Sequence, residues 1–183
     1  MKPIVPILLF VGGAIALTVA KTIKAAKELA FKMSKFSIYN LYKNGNLVFR
    51  AVIKINNPNN TPLHVQNIDF GAYINAKVQD NGGKISVIDQ GKLLCSLTDT
   101  VPFTVAAGAQ TQKELFIEAK WTTIADFFGI NFSSLVSIFT GGLQAKIQEV
   151  RDKLLKLNIL ISGTVSAEDF TLPINQLIQI TNN

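Results

Sequence analysis

The sequence predicts a mainly β protein: an antiparallel β-sandwich of the fibronectin-III or immunoglobulin type, with an N-terminal transmembrane helix and a helical insertion. Three observations predict it. Apolar and polar residues alternate over several short stretches after residue 36. Gly, Asn and Pro punctuate those stretches at regular spacing. Residues 3–20, "PIVPILLFVGGAIALTVA", carry no charge at all. The expected division is a membrane helix and basic stalk over 1–36, then a β-sandwich over 37–183 with its insertion around 122–153.

As a helix, residues 3–20 would span about 27 Å, close to the apolar thickness of a bilayer. Pro3 and Pro6 fall in the first turns, where missing amide donors cost least. The expected anchoring side chains are Ile4, Leu8, Leu9, Phe10, Val11, Ile15, Leu17 and Val19. Lys21, Lys24 and Lys27 follow the run and are expected at the lipid headgroups, with Lys32 and Lys35 continuing the series. Ile23, Ala26, Leu29 or Ala30, Met33 and Phe36 recur at helical spacing, which predicts an amphipathic stalk. The lysine excess after the run places the following domain on the cytoplasmic side of a single-pass span. Two rivals stay open, a signal peptide cleaved after "TVA" at 18–20 and a buried helix of a soluble core.

Beyond Phe36 the period changes. In "GNLVFRAVIKIN", Leu47, Phe49, Ala51, Ile53 and Ile55 point one way, and Val48, Arg50, Val52 and Lys54 the other. "KNGN" at 43–46 suits a tight hairpin turn back to "FSIYNLY". "IDFGAYINAKV" alternates through Ile68, Phe70, Ala72, Ile74, Ala76 and Val78. "DNGG" at 80–83 reads as a turn, followed by short strands around 84–89, 92–97 and 101–105. In "KELFIEAKW", Leu115, Ile117, Ala119 and Trp121 share a face. "TIADFFGINFSSLVSIF" and "LQAKIQEVRDKLLKL" return to helical spacing, separated by Gly141-Gly142. "LNILISGTV" and "FTLPINQLIQI" close the chain as strands, the latter at an edge.

"VIKINNPNNTPLHVQNIDFGAYIN", "VPFTVAAGAQTQKELFIEA" and "LNILISGTVSAEDFTLPI" together resemble the group-two late-embryogenesis-abundant fold, also called the water-stress and hypersensitive-response (WHy) domain. The resemblance covers roughly residues 37–178. It rests on the turn Asn57-Pro58-Asn59, then Pro62-Leu63, Val101-Pro102, Gly108, Gly163 and Pro173. It implies a seven-stranded or similar sandwich without catalytic residues. Many members of that family are tethered to membranes by one N-terminal helix, and others protect proteins during desiccation. The apolar insertion over 124–139 is longer than the family pattern.

The residues themselves offer little chemistry. One histidine, His64, and one cysteine, Cys95, leave no material for a Cys/His metal site or a disulfide framework. No Walker loop, dinucleotide fingerprint or nucleophile elbow occurs. His64 begins a strand after a turn and reads as structural. Cys95 sits in "KLLCSL" and reads as a buried, inert thiol. Net charge is +6. Lys146, Arg151, Lys153 and Lys156 tint the second helix, but Glu149 and Asp152 dilute them, and nucleic acid is not an expected partner.

The expected function is therefore a non-enzymatic, membrane-anchored structural or interaction protein without cofactors. Its expected partners are the lipid bilayer and a protein, whether another chain or a second copy. A narrower version is a minor structural protein of a lipid-containing virus or phage, sitting on an internal virion membrane. The alternatives are a desiccation protectant and a lipid-binding module with the 124–139 stretch as a lid.

Overall fold

Asn44 and Gly45 both take positive φ, 51° and 80°, the pairing that a two-residue primed turn requires. They fold strand β1 (Ala30–Lys43) onto β2 (Asn46–Asn56). The chain continues as β3 (Leu63–Ile74), β4 (Lys77–Asp80), β5 (Ile85–Asp89), β6 (Lys92–Asp99), β7 (Phe103–Val105) and β8 (Gln110–Lys120). Two helices follow, α1 (Trp121–Phe127) and α2 (Leu143–Leu154), then β9 (Asn158–Ala167), β10 (Phe170–Gln179) and β11 (Thr181–Asn182). This computed structural model describes residues 30–82, 84–129, 143–168 and 170–182.

The first sheet runs β11-β1-β2-β8 and the second β10-β9-β3-β6, with β7 also paired to β3. The pairings are antiparallel apart from the short parallel contact of β11 with β1. β4 and β5 form a separate hairpin. Leu47, Phe49, Ala51, Ile53 and Ile55 are buried, as are Leu115, Ile117 and Ala119 on β8. From the second sheet, Leu63, Val65, Ile68, Phe70, Ala72 and Ile74 join the same core. Both sheets thus bury their apolar faces against one another, the term that dominates folding.

Two side-chain links join the sheets at their margins. Gln176 of β10 pairs with the backbone of Met33 on β1, accepting its N–H at 3.0 Å and donating to its carbonyl at 2.8 Å. At the other margin Lys113 of β8 lies 3.4 Å from the Asp99 carboxylate and 4.9 Å from the Phe103 ring centroid.

The structure differs from the helical spacing expected up to Phe36, because Ala30–Phe36 is already strand. A bulge between Met33 and Lys35 inserts one extra residue, so Met33 and Phe36 both face the core. A bulged strand therefore mimics the three-residue spacing of a helix. Asn75, at φ 58°, likewise ends β3 within the run expected to alternate through Val78.

Among the described residues no helix is long and apolar enough to cross a membrane, so the expected transmembrane helix finds no support there. Residues 3–20 and the lysines at 21, 24 and 27 lie outside the described residues. Both parts of the expected helical insertion are seen in part. α1 buries Trp121, Ile124 and Ala125 and closes at Gly129, φ 65°. α2 turns Val150 and Leu154 into the core, and Arg151 holds the Asn182 side chain at 2.9 and 3.0 Å. Residues 130–142 between them lie outside the described set.

Candidate functional site

The turn Asn57-Pro58-Asn59 stands where β2 ends. Pro58 cannot donate to a ladder and keeps Asn57 extended. Asn57 is fully buried, whereas Pro58 is exposed. Its side-chain amide donates to the carbonyls of Thr61 at 2.9 Å and of Val105 and Ala106 at 3.2 Å each. Its carbonyl oxygen accepts from the Asn59 backbone at 3.2 Å and the Asn59 side chain at 3.0 Å. The backbone N–H of Asn57 reaches Ala109 at 2.9 Å, and that of Gly108 reaches Asn59 at 2.9 Å. Asn57 thus stitches the β2–β3 turn to the β7–β8 turn. Its polar groups are consumed inside the fold, which leaves only the exposed rim of the turn for a partner.

His64 is exposed, with Nδ1 2.9 Å from the Thr104 hydroxyl and no carboxylate partner on the ring among the contacts described. Cys95 is buried, and burial pushes its thiol up to about 12, because a thiolate there would lose its hydration. Among the described residues no three His, Cys, Asp or Glu side chains come together to hold a metal ion. A shallow cleft of about 230 Å³ lies beside Ile74, Lys92, Leu93, Leu94, Thr123, Asp126 and Phe127. Its polar groups are the Asp126 carboxylate, the Lys92 ammonium and the Thr123 hydroxyl.

The outer face of the first sheet is the more unusual surface. Register places Lys32 opposite Lys54, and Lys35 opposite Val52, at one end of this face. Lys32 is exposed, and Lys35 and Lys54 are half-buried. Farther along, Ser37, Arg50 and Phe116 form one cross-strand row. The Tyr39 ring meets Phe116 edge-on with centroids 4.8 Å apart, although both rings remain about half exposed, at 52% and 49%. Arg50 pairs with Glu114, and that hydrogen bond raises the guanidinium pKa above its ordinary value. Lys43 lies 3.6 Å from Glu118. Glu118 and Glu114 thus pair with Lys43 and Arg50. Although Glu114 shares the Lys35–Val52 row, Lys32, Lys35 and Lys54 form no ion pair among the described residues.

Of the residues expected from sequence to act at a surface, the eight anchoring side chains and Lys21, Lys24 and Lys27 lie outside the described set. Asn57, Pro58 and Asn59, expected as a turn that marks the fold, are joined by the hydrogen bonds of the Asn57 side chain to the Asn59 backbone and side chain. Sequence reading missed Tyr39 and Phe116, which are distant in the chain and meet only through the β1-β2-β8 register. Alternation along each strand could have placed both rings outward.

These features define a mainly β protein of antiparallel sheets with a basic and aromatic outer face. No family model matches the chain, and no curated protein does. Solved structures similar to it include a protein from Archaeoglobus fulgidus, 11% identical over 83% of this chain and 94% of that one, with a TM-score of 0.40. The sporulation control protein Spo0M from Bacillus subtilis is 9% identical over 85% of this chain, with a TM-score of 0.39. This chain spans 49% of Spo0M. A protein from Bordetella pertussis is 10% identical, covering 84% of this chain and 94% of that one, with a TM-score of 0.38. At these scores none of the three bears on function.

Proposed function

We propose that this chain is a non-enzymatic, membrane-anchored interaction module, a fibronectin-III- or immunoglobulin-like sandwich held at a bilayer by residues 3–20. One observation carries the reading: Ala30 already belongs to β1, so at most residues 21–29 separate the uncharged run from the folded domain. Even fully extended, that connection reaches no more than about 30 Å. A span over 3–20 would therefore hold the domain against the headgroups, on the cytoplasmic side by the lysine bias. A protein partner or a second copy of the chain would then meet the domain's exposed surfaces. A place on the internal membrane of a virus or phage is one setting for such a module.

The resemblance to the WHy domain belongs to the same reading. The buried Asn57, five hydrogen bonds deep through its side chain, gives the turn a reason to identify a fold rather than a site. Deleting residues 1–20 and following the chain by sedimentation with its native membranes tests the proposal. Release into the soluble fraction is expected, and unchanged sedimentation counts against it.

A further inference from the structure

We infer that the outer face of the first sheet, from Lys32, Lys35 and Lys54 to the Tyr39–Phe116 pair, is a docking surface for anionic phospholipid headgroups. The inference rests on the membrane-anchoring reading and names the part of the domain that would lie on the bilayer.

Like charges set directly opposite on neighbouring strands destabilise a sheet, yet Lys32 faces Lys54 across β1 and β2. The bulge between Met33 and Lys35 brings a third ammonium beside them, opposite Val52. None of the three lysines has a carboxylate within salt-bridge distance among the described residues. The acids on the same face are already engaged, Glu114 by Arg50 and Glu118 by Lys43 and Asn46. A layer of external anions would relieve the repulsion that the protein leaves standing. Lipid suits the face better than a soluble polyanion because an exposed aromatic pair adjoins the lysines. Tyrosine favours the headgroup level, and lysines held near an anionic surface are drawn to it. The cluster also sits at the start of β1, where the chain arrives from the uncharged run.

Two footprints on the full chain, reconstituted in vesicles, test the inference. One vesicle set contains phosphatidylserine in phosphatidylcholine and the other phosphatidylcholine alone. With phosphatidylserine, acetylation of Lys32, Lys35 and Lys54 should fall at least about fivefold. Exposed Lys77, Lys84 and Lys92 should label equally in both. Hydroxyl-radical oxidation of Tyr39 and Phe116 should fall in parallel, while Leu93 and Leu177 on the second sheet stay reactive. Protection should vanish near 1 M salt, where the screening length is about 3 Å. Equal labelling of the three lysines in both vesicles would overturn the inference, as would protection by a single-stranded oligonucleotide but not by vesicles. Alkaline extraction of the same samples separates the two claims. A chain that resists extraction but shows no footprint sinks this inference alone. A chain that is extracted yet shows the footprint at neutral pH sinks the anchor alone.

Discussion

The side-chain amide of Gln176 makes both backbone hydrogen bonds of Met33, at 3.0 and 2.8 Å. β11 pairs with β1 only at Ser37 and Ile38, so the Met33 stretch has no strand neighbour on that side. Gln176 supplies from the other sheet what a strand would have supplied.

Replacing Gln176 with leucine should therefore leave the Met33 N–H and carbonyl half-buried and unpaired. The expected loss is about 1–3 kcal/mol, read as a lower urea midpoint with an unchanged slope. Asparagine, one methylene shorter, should not restore it.

Asn57 yields a sharper test. Asn57→Ala removes a donor from the carbonyls of Thr61, Val105 and Ala106, of which Ala106 keeps the Ala109 N–H, and should cost about 1–3 kcal/mol. Asn57→Asp places a carboxylate against the same carbonyls, which disfavours its ionised form and raises its folded-state pKa above the unfolded value near 3.9. The folded state then holds the proton more tightly, so stability falls as pH rises above about 4. Urea midpoints for this variant should be higher at pH 4 than at pH 7, relative to wild type.

Cys95 should behave as a latent thiol. Its pKa is pushed up to about 12 by burial, above an unfolded value near 8.5. The neutral thiol is favoured in the fold, so its contribution is intact below pH 8.5 and is lost as pH climbs toward 12. Between pH 9 and 10.5, wild type should lose roughly 1.4 kcal/mol per unit more than Cys95→Val. A thiol reagent at pH 8 should label Cys95 only as fast as the protein opens.

Gly163 faces the backbone of β3. A Cβ there would come 2.1 Å from the Asp69 carbonyl and 2.5 Å from the Phe70 Cα, atoms that cannot swing away. Gly163→Ala should cost about 3 kcal/mol or prevent folding. Gly45→Ala, at φ 80° but in open space, should cost only about 1 kcal/mol. Thermal melts of the two variants compare the effects directly.

Much of the domain could be read from local pattern. Asn44-Gly45 announced the first hairpin, and the alternation from Leu47 to Ile55 gave β2 its core face. Where a strand bends, the pattern misled: the bulge near Ser34 produced helical spacing, and Asn75 cut a run that alternates on paper. Val48 and Val52, on the outer face, are nonetheless buried. Their cross-strand neighbours, Asn40 with Glu118 and Lys35 with Glu114, have long or polar side chains whose stems can cover them. The Asn57 turn was legible as a turn, but its burial depends on carbonyls from residues 105 and 106, which no local reading supplies. The Lys32–Lys54 and Tyr39–Phe116 contacts depend on register and are invisible along the chain.

Alkaline flotation of the purified full chain with phosphatidylcholine vesicles tests the membrane-anchoring account most directly. Neutral lipid removes the attraction to lysines, and carbonate strips peripheral protein. The account predicts that the full chain floats with the vesicles and that the chain lacking residues 1–20 stays at the bottom. A full chain left at the bottom, or a truncated chain that floats equally well, would contradict it.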